Sequence, residues 1–495
     1  MSLPVLSVAQ MREWEKATWA SGQTEEAVMR RVGQIIARRA EELTPPGGLI
    51  LVFSGKGHNG DDARFAAEAI AGRELQVFRV TDPELVTREA TPFLERPPAL
   101  IIDGLFGSGL NRPLGDAWIR LIQRINQSHA PILAVDVPSG LSGDTGEPLP
   151  DAIRATVTLS LGAVKQGMIK PSSSAFVGRL ETAPEIGLIP YPFTTEISMI
   201  TPEDFSGFPP SRPLGGHKGT FGHLSIVAGT LGYHGAAVLA ARGAQRAQPG
   251  LITLFTAETV YHPVAAQLQS AMVKPWAASL DLPAHSTALL VGPGLAAPDL
   301  PEPVKEFTRQ RWERSPLAMI VDASALAWLP EGECPLAAFR LITPHPGEAA
   351  RMLGISASEV QANRPRAVRE LSRRWGNCWV ILKGHQTMVG QARADLFVNP
   401  SGNPYLAQGG SGDLLAGYLG GLMAQPALQR DPITTLCYAV WEHGAAADAL
   451  QTSRSNWTVE DLAEVLGNVR KGGGSGGSSG TWHGGDGRAD RPFPI

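Results

Sequence analysis

The chain has little cysteine, no excess of basic residues and no long apolar run. Its 495 residues include three cysteines, Cys334, Cys378 and Cys437, spaced as neither a disulfide framework nor a zinc site. The formal net charge is −4, so nucleic acid is not an expected partner. No apolar run reaches about 18 residues and no signal peptide opens the chain, so we do not expect a membrane span. These features favour a cytoplasmic enzyme, with Cys378 and Cys437 in its core.

The second half of the chain alternates apolar strands with helical segments. The strands end in glycine or polar residues, as in VGPGL (291–295) and VDASAL (321–326). This alternation predicts a parallel sheet covered by helices on both faces. Ligands of such sheets bind beyond the carboxyl ends of the strands. On that rim we expect His217, Gly294, Asp322, His345, Lys383 and Asp413.

A glycine-rich turn stands out in this half. The segment QGGSGDLLAG (408–417) places three glycines before a helix that we predict to begin at Asp413. Free backbone N–H groups and the positive end of the helix dipole make such a turn a phosphate site. A carboxylate beside it can take a proton from a substrate hydroxyl, so the segment indicates phosphoryl transfer. The alternative is an ordinary helix start, because Asp often caps helices.

The first half contains three apolar strands that are each followed by a polar, glycine-rich loop. They are LILVFSGKGHNGDD (49–62), ALIIDGLFGSGLNRPLG (99–115) and ILAVDVPSGLSGDTGEP (132–148). Asp103 and Asp136 end two of these strands. The pattern predicts a nucleotide site on a doubly wound sheet. The alternative role of both carboxylates is to cap the turns that follow the strands.

The motifs of the second half resemble the ADP-dependent NAD(P)H-hydrate dehydratase family, a branch of the ribokinase-like fold. The matching pieces are HKGTFGHLSIVAG, VGPGL, VDASAL, TPHPGEAARMLG, ILKGHQTMV and NPSGNPYLAQGGSGDLLAG, in this order. The three loops of the first half resemble the NAD(P)H-hydrate epimerase family. Together the resemblances imply a bifunctional repair enzyme with a Rossmann-like doubly wound α/β domain at 1–205 and a ribokinase-like α/β domain at 206–471.

The dehydratase resemblance implies that S-NAD(P)HX is dehydrated to NAD(P)H while ADP, with Mg²⁺, is converted to AMP and phosphate. It makes Asp413 the catalytic base and assigns Gly294, His345 and Asp413 to the hydrate. From the residues alone, His345 could equally be a turn residue between two prolines, and the domain a small-molecule kinase of the same fold. The positions that match the family's ADP site are Lys383, Gly384, His385, Gln386, Thr387 and Gly412.

The epimerase resemblance implies exchange between the R and S hydrates, with Asp136 as catalytic acid/base. Hard oxygen ligands suit K⁺, and the matching ligand positions are Asn59, Asp103 and Ser139. The first loop departs from the family pattern at His58, Asp61 and Ala63, so a binding module without catalysis is the alternative. The implied hydrate contacts are His58, Asn59, Gly60, Asp61, Asp62, Gly107, Ser108, Gly109, Leu110, Asn111, Arg112, Pro113 and Asp136.

The end of the chain differs in composition from the rest. Residues 472–495 begin with a Gly/Ser-rich run and contain few apolar residues. We expect a flexible tail, either an added linker and tag or a natural end. The expected partners are the small molecules NADHX and NADPHX and further copies of the chain in a homo-oligomer, without nucleic acid or membrane.

Overall fold

The computed structural model describes residues 2–276, 280–298, 300–334 and 338–469. The chain forms two compact units, one from Leu3–Met199 and one from Ile200 onward. The expected tail at 472–495 lies outside the described residues, as do the last two residues of the expected 206–471 domain. The functional boundary between residues 205 and 206 stays a prediction.

The first unit is built on a parallel sheet of six strands, with helices on both faces, and has three further short strands. Its strands are β1 (Leu3–Leu6), β2 (Leu49–Ser54), β3 (Glu74–Arg79), β4 (Leu100–Gly104), β5 (Ile132–Val135), β6 (Val157–Leu161), β7 (Val164–Lys165), β8 (Arg179–Ala183) and β9 (Ile197–Met199). Its helices are α1 (Val8–Ala20), α2 (Glu25–Glu42), α3 (His58–Ala69), α4 (Pro83–Leu94), α5 (Asp116–Asn126) and α6 (Ser174–Val177).

The strand order of this unit places a ligand crevice beside β2. Six parallel strands run in the order β3-β2-β4-β5-β6-β8, while β1 pairs with β7 and β9. The winding direction reverses between β2 and β4, and doubly wound sheets bind ligands outside the carboxyl ends at that point. The predicted doubly wound α/β class is confirmed. The glycine-rich loops after β2 and β4 flank the crevice.

Both faces of this sheet are buried, as the apolar runs predict. Ile50 and Val52 pack into a cluster with residues of α2 and α3. Leu51 and Phe53 face the other way and pack with residues of α4 and α5. Successive side chains of a strand point to opposite faces, so a continuous apolar run requires helices on both sides.

The second unit repeats this layered plan. Its strands are β10 (His223–Val227), β11 (Leu251–Thr256), β12 (Met272–Pro275), β13 (Ala288–Val291), β14 (Ala318–Val321), β15 (Arg340–Ile342), β16 (Trp379–Leu382), β17 (Met388–Gly390) and β18 (Leu396–Val398). Its helices are α7 (His234–Ala247), α8 (Tyr261–Ala265), α9 (Glu302–Arg314), α10 (Pro346–Leu353), α11 (Ala357–Ala362), α12 (Arg364–Arg374), α13 (Ser411–Met423), α14 (Pro426–Gln429), α15 (Pro432–Ser453) and α16 (Val459–Val465).

Seven parallel strands of the second unit run in the order β12-β11-β10-β13-β14-β15-β16, and β17 and β18 continue the sheet antiparallel. The predicted parallel α/β sheet is confirmed here as well. The loops after β14, β15 and β16 emerge side by side, because parallel neighbours end at the same edge. That edge therefore collects the residues that follow each strand.

His217 does not lie on this rim, so that prediction was wrong. The motif HKGTFG precedes β10 rather than following it, which places it at the amino edge of the sheet. There the loop packs against the turn before β11: a Cβ on Gly250 would lie 1.7 Å from the Lys218 carbonyl oxygen. The motif closes the amino edge of the strands.

Helices α7 and α13 contact each other through their backbones. A Cβ on Gly243 would lie 2.1 Å from the Leu414 carbonyl oxygen, and one on Gly417 would lie 1.8 Å from the Ala240 carbonyl oxygen. Only glycine permits this approach. Because α13 begins at the glycine-rich turn, the contact fixes that turn against α7.

Two predictions drawn from composition can be compared with the structure. Cys378 and Cys437 are buried, as expected, and Cys334 is half-buried. Among the described residues, the helices are all too short or too polar to span a bilayer.

Gly417→Ala should destabilise the second unit by about 1–3 kcal/mol, because the added methyl group must push α7 and α13 apart. Chemical unfolding followed by circular dichroism measures the change. Gly235→Ala is the control: it lies on α7 with no atom within 4 Å of the new Cβ, so stability should not fall. Equal stability of the Gly417 variant and the parent chain would contradict the close packing.

Candidate active sites

An ion pair joins two strand ends of the second unit. Lys383, directly after β16, donates from Nζ to Asp322 Oδ1 at 2.7 Å. Asp322 follows β14 and is 2 % exposed. The hydroxyl of Thr343, after β15, donates to the same oxygen at 2.7 Å. The ion pair therefore holds the Lys383 ammonium at the carboxyl edge of the sheet.

The glycine-rich turn begins its helix two residues earlier than predicted. Gly410 is the N-cap with φ 94°, and α13 starts at Ser411, so Asp413 is the third helical residue. The left-handed Gly410 allows the chain to enter the helix at once, which the prediction from Asp413 did not anticipate. Asp413 still lies in the first turn, where the helix dipole favours negative charge.

Backbone N–H groups at this turn are available to a ligand. Within the described part of the chain, no acceptor is found for the N–H groups of Gly409, Gly412 and Asp413. A Cβ on Gly412 would lie 3.4 Å from Lys383 Nζ, so the ammonium is next to the turn. Free donors, a helix N-terminus and an adjacent cation form an anion-binding arrangement.

Asp413 is electrostatically suited to exchange a proton near neutral pH. Burial raises its pKa to about 7; Asp322 and Glu348 act in the same direction, and the Lys383 ammonium opposes them. For Lys383, burial lowers the pKa, but the attraction of Asp322, Glu348 and Asp413 outweighs it and raises the pKa overall. The arrangement is a lysine shared by several carboxylates, one of which can take up a proton.

The other predicted residues of this half differ in their placement. His345 caps α10: its Nδ1 accepts from Gly347 N at 3.0 Å, and the Glu348 carboxylate accepts from His345 N at 2.9 Å. Gly294 has φ 65° and follows β13. Gly384, His385, Gln386 and Thr387 form the turn between β16 and β17, closed by a 2.9 Å hydrogen bond from the Thr387 hydroxyl to the Gly384 carbonyl. The substrate and ADP roles of these residues stay predictions.

In the first unit, Asp136 forms a buried ion pair with Lys165. Asp136 follows β5 in a left-handed conformation, with φ 66°. Lys165, 1 % exposed, donates to Asp136 Oδ1 and, at 3.0 Å each, to the carbonyl oxygens of Leu161 and Ala163. Ser108 N donates to Asp136 Oδ2 at 3.4 Å. Asp136 thus joins the loop after β4 to a lysine that the sequence analysis did not select.

Asn59, Asp103 and Ser139 meet around the carbonyl group of Phe106. Asn59 Nδ2 donates to the Phe106 oxygen at 3.0 Å, and Ser139 Oγ lies 3.1 Å from that oxygen. Asp103 accepts from Ser139 N at 2.8 Å and from its hydroxyl at 2.6 Å. Burial raises the pKa of Asp103 to about 6, although the bonds from Ser139 and Leu105 lower it. The three strand-end loops converge on one oxygen-rich point.

The altered first loop keeps a close-packed turn. A Cβ on Gly60 would lie 2.1 Å from the Gly55 carbonyl oxygen, and one on Gly104 would lie 2.4 Å from Ala63 Cβ. Ala63 therefore fits because its neighbour on β4 is glycine. His58 lies 3.7 Å from Glu25, and Asp61 pairs with Arg64.

The remaining predicted hydrate contacts lie in the loop after β4. Gly107 borders Asn59, and Gly109 lies near Arg12. Leu110 is half-buried, and the end of the loop is exposed at Asn111, Arg112 and Pro113.

Three charged residues near these sites were missed from the sequence. Glu15 on α1 is half-buried and interacts electrostatically with Asp136 and Lys165. Its pKa is raised mainly by burial and, to a smaller extent, by repulsion from Asp136. Glu348 sits in the pattern His-Pro-Gly-Glu, where a capping box was the available signal. Lys165 lies in a short apolar strand. A lysine in such a strand is rarely buried unless it is paired, and this was the only local sign of its role.

Comparison with known proteins bears on both units. A family model described as NAD(P)H-hydrate dehydratase matches residues 224–468, and one described as YjeF-related protein N-terminus matches residues 79–167. The chain is 34 % identical over 508 residues to the bifunctional NAD(P)H-hydrate repair enzyme Nnr of Gloeobacter violaceus, covering 94 % of this chain and 96 % of that one. The enzyme of the same name from Coxiella burnetii is 33 % identical, covering 89 % and 93 %. A crystal structure of ADP/ATP-dependent NAD(P)H-hydrate dehydratase from Bacillus subtilis is 30 % identical with a TM-score of 0.48, covering 54 % and 95 %.

Lys165→Met should destabilise the first unit by about 3–5 kcal/mol, because Asp136 is left buried without its cation. Urea unfolding at pH 7 measures the loss. The double variant Lys165→Met/Asp136→Asn removes both charges and should recover most of it. The single variant Asp136→Asn is measured as well. If the losses of stability in the two single variants simply add in the double variant, the ion pair does not contribute as described.

Proposed function

The chain belongs to the family of bifunctional NAD(P)H-hydrate repair enzymes, and from this premise we propose that it restores hydrated NADH and NADPH. The second unit dehydrates the S hydrate with ADP as phosphoryl donor, and the first unit exchanges the R and S hydrates. The observation that carries the proposal is the position of Asp413 in the first turn of α13, at a glycine-rich helix start beside the Lys383–Asp322 pair.

The dehydratase chemistry follows from the poor leaving ability of hydroxide. Asp413 takes the proton of the ring hydroxyl, and the hydroxyl oxygen attacks the β-phosphorus of ADP, releasing AMP. The phosphate then leaves, driven by the lone pair of the ring nitrogen, and loss of a ring proton gives NAD(P)H. A base with a pKa of about 7 suits this role near neutral pH. The N–H groups of the turn and the Lys383 ammonium stabilise charge on the transferring phosphoryl group.

The proposed ADP site lies between the end of β16 and the glycine-rich turn. Lys383, Gly384, His385, Gln386 and Thr387 supply one side of it, and Gly412 supplies the other. Among the described residues no cluster of three or more His, Cys, Asp and Glu side chains could hold a metal ion. Mg²⁺ fits such a site when the diphosphate supplies most of its ligands and a carboxylate supplies the rest. Glu348 would be that carboxylate here, which leaves Asp413 free to act as the base.

The epimerase proposal places Asp136 at the reacting carbon and K⁺ at the oxygen cluster. Asp103 is buried and forms no ion pair within the described ranges, so a monovalent cation would supply its missing counter-charge. Asn59, Ser139 and the Phe106 carbonyl group would complete a set of hard oxygen donors. When bound, K⁺ would hold the three loops together beside the substrate. The homo-oligomer and the cytoplasmic location stay predictions.

Asp413→Asn should reduce ADP-dependent dehydration about 10²–10⁴-fold, because it removes a positioned base. ADP binding and epimer exchange should persist, since they depend on other residues. Recovery of NADH absorbance from mixed hydrates measures the activity. Glu464→Gln, at an exposed position of α16, is the control. In the parent chain the rate should rise as pH increases through about 7, as Asp413 loses its proton.

Two results would contradict this assignment. Near-normal turnover of the Asp413 variant would exclude Asp413 as the base. Accumulation of a stable phosphorylated product, without release of phosphate or recovery of NADH, would identify a small-molecule kinase instead.

K⁺ should raise the melting temperature of the first unit relative to tetramethylammonium at equal ionic strength. A cation bound only by the folded state at about 100 times its dissociation constant stabilises it by about 2.7 kcal/mol. Asp103→Asn should abolish the difference between the salts, whereas Glu89→Gln on the exposed face of α4 should keep it. An equal melting temperature of the parent chain in both salts would exclude the site.

A further inference from the structure

Asp62 is a buried carboxyl group with no hydrogen-bond partner in the part of the chain that the structure describes. It lies on α3 and is 7 % exposed. Its Oδ1 is enclosed and forms no hydrogen bond among the described residues. A buried ionised carboxylate without a hydrogen bond is costly, whereas the protonated form carries no charge and can donate.

The surroundings of Asp62 disfavour its charge further. Asp136 and Glu15 both repel it. Lys165, the cation paired with Asp136, directs its three N–H donors to Asp136 and the carbonyl oxygens of Leu161 and Ala163.

The other charged groups at this end of α3 are also engaged elsewhere. On α3 itself Arg64 pairs with Asp61, and His58 lies near Glu25. Arg12 and His58 act on Glu15. Burial, together with Asp136 and Glu15, raises the pKa of Asp62 to about 8.

We propose that Asp62 is the proton donor of the epimerase, acting with Asp136, whose charge Lys165 balances. The inference rests on the proposed epimerase function. Asp62 gives its proton to the ring hydroxyl, the C–O bond breaks, and water leaves as the ring nitrogen lone pair forms a C=N⁺ bond. Water then adds to the opposite face and loses its proton to Asp136. The two carboxyl groups exchange protons with solvent before the next cycle.

The pairing explains why two carboxyl groups of different character lie at one site. Departure of water requires a protonated acid, and return of water requires a proton acceptor. Lys165 pairs with Asp136, whereas Asp62 has no ion-pair partner within the described ranges, and this difference separates the two roles.

Asp62→Asn in the full-length chain tests the proposal. Exchange between purified epimers, without ADP and in K⁺ buffer, is followed by chromatography from pH 5.5 to 9.5. The parent rate should fall as pH rises through about 8, because Asp62 loses its proton. The variant should exchange the epimers about 10²–10⁴-fold more slowly than the parent. Unchanged dehydratase activity and an unchanged melting temperature of the first unit would show that the variant is folded. Glu68→Gln, exposed on the same helix, should behave as the parent.

Different outcomes separate the inference from the function on which it rests. If the parent exchanges epimers and the Asp62 variant does so within threefold and with the same pH profile, Asp62 is not the donor. If the parent exchanges no faster than buffer, the proposed epimerase itself fails. The pKa of the Asp62 carboxyl group can also be measured directly by ¹³C NMR titration of the chain with labelled aspartate, its signal being the one that Asp62→Asn removes. A pKa near 8 is expected, and an ordinary value near 4 overturns the proposal.

Discussion

The ion pair between Lys383 and Asp322 is the interaction around which the second unit's site is built. It joins the ends of β14 and β16, with the Thr343 hydroxyl from β15 between them, so three parallel strands are fixed in relation to one another. The ammonium then lies close to Gly412. Without that cation, Asp322, Glu348 and Asp413 would repel one another in a poorly solvated crevice. One lysine therefore allows several carboxylates to share one edge of the sheet.

The two units use the same electrostatic scheme. In each, a lysine balances one buried carboxylate, Asp322 or Asp136. A second carboxyl group has no ion-pair partner among the described residues. Burial raises the pKa of this group, to about 7 for Asp413 and about 8 for Asp62. Both proposed reactions act on a hydroxyl group of a neutral ring, for which a group that titrates near neutral pH is the useful reagent.

The residues that could be predicted from the sequence are those set by local chain geometry. Strands, the glycine-rich turns and the residues at strand ends follow from short patterns, and the convergence of Asn59, Asp103 and Ser139 follows from parallel pairing. Lys165 could not be predicted, because its contact with Asp136 spans 29 residues and depends on the turn after β6. His217 was misplaced because a glycine-rich motif is similar before and after a strand. Helix α13 begins two residues before its predicted start because Gly410, in a left-handed conformation, lets the chain enter the helix at Ser411.

The backbone contact between α7 and α13 has a consequence for ligand affinity. Gly243 and Gly417 hold the helices together with no side chain between them that could change rotamer. The turn at the start of α13 is therefore ordered as soon as the unit folds. The conformational entropy of arranging its N–H groups is lost during folding and need not be lost again when a nucleotide arrives. This preorganisation lets a few hydrogen bonds to the phosphates contribute most of their free energy to binding.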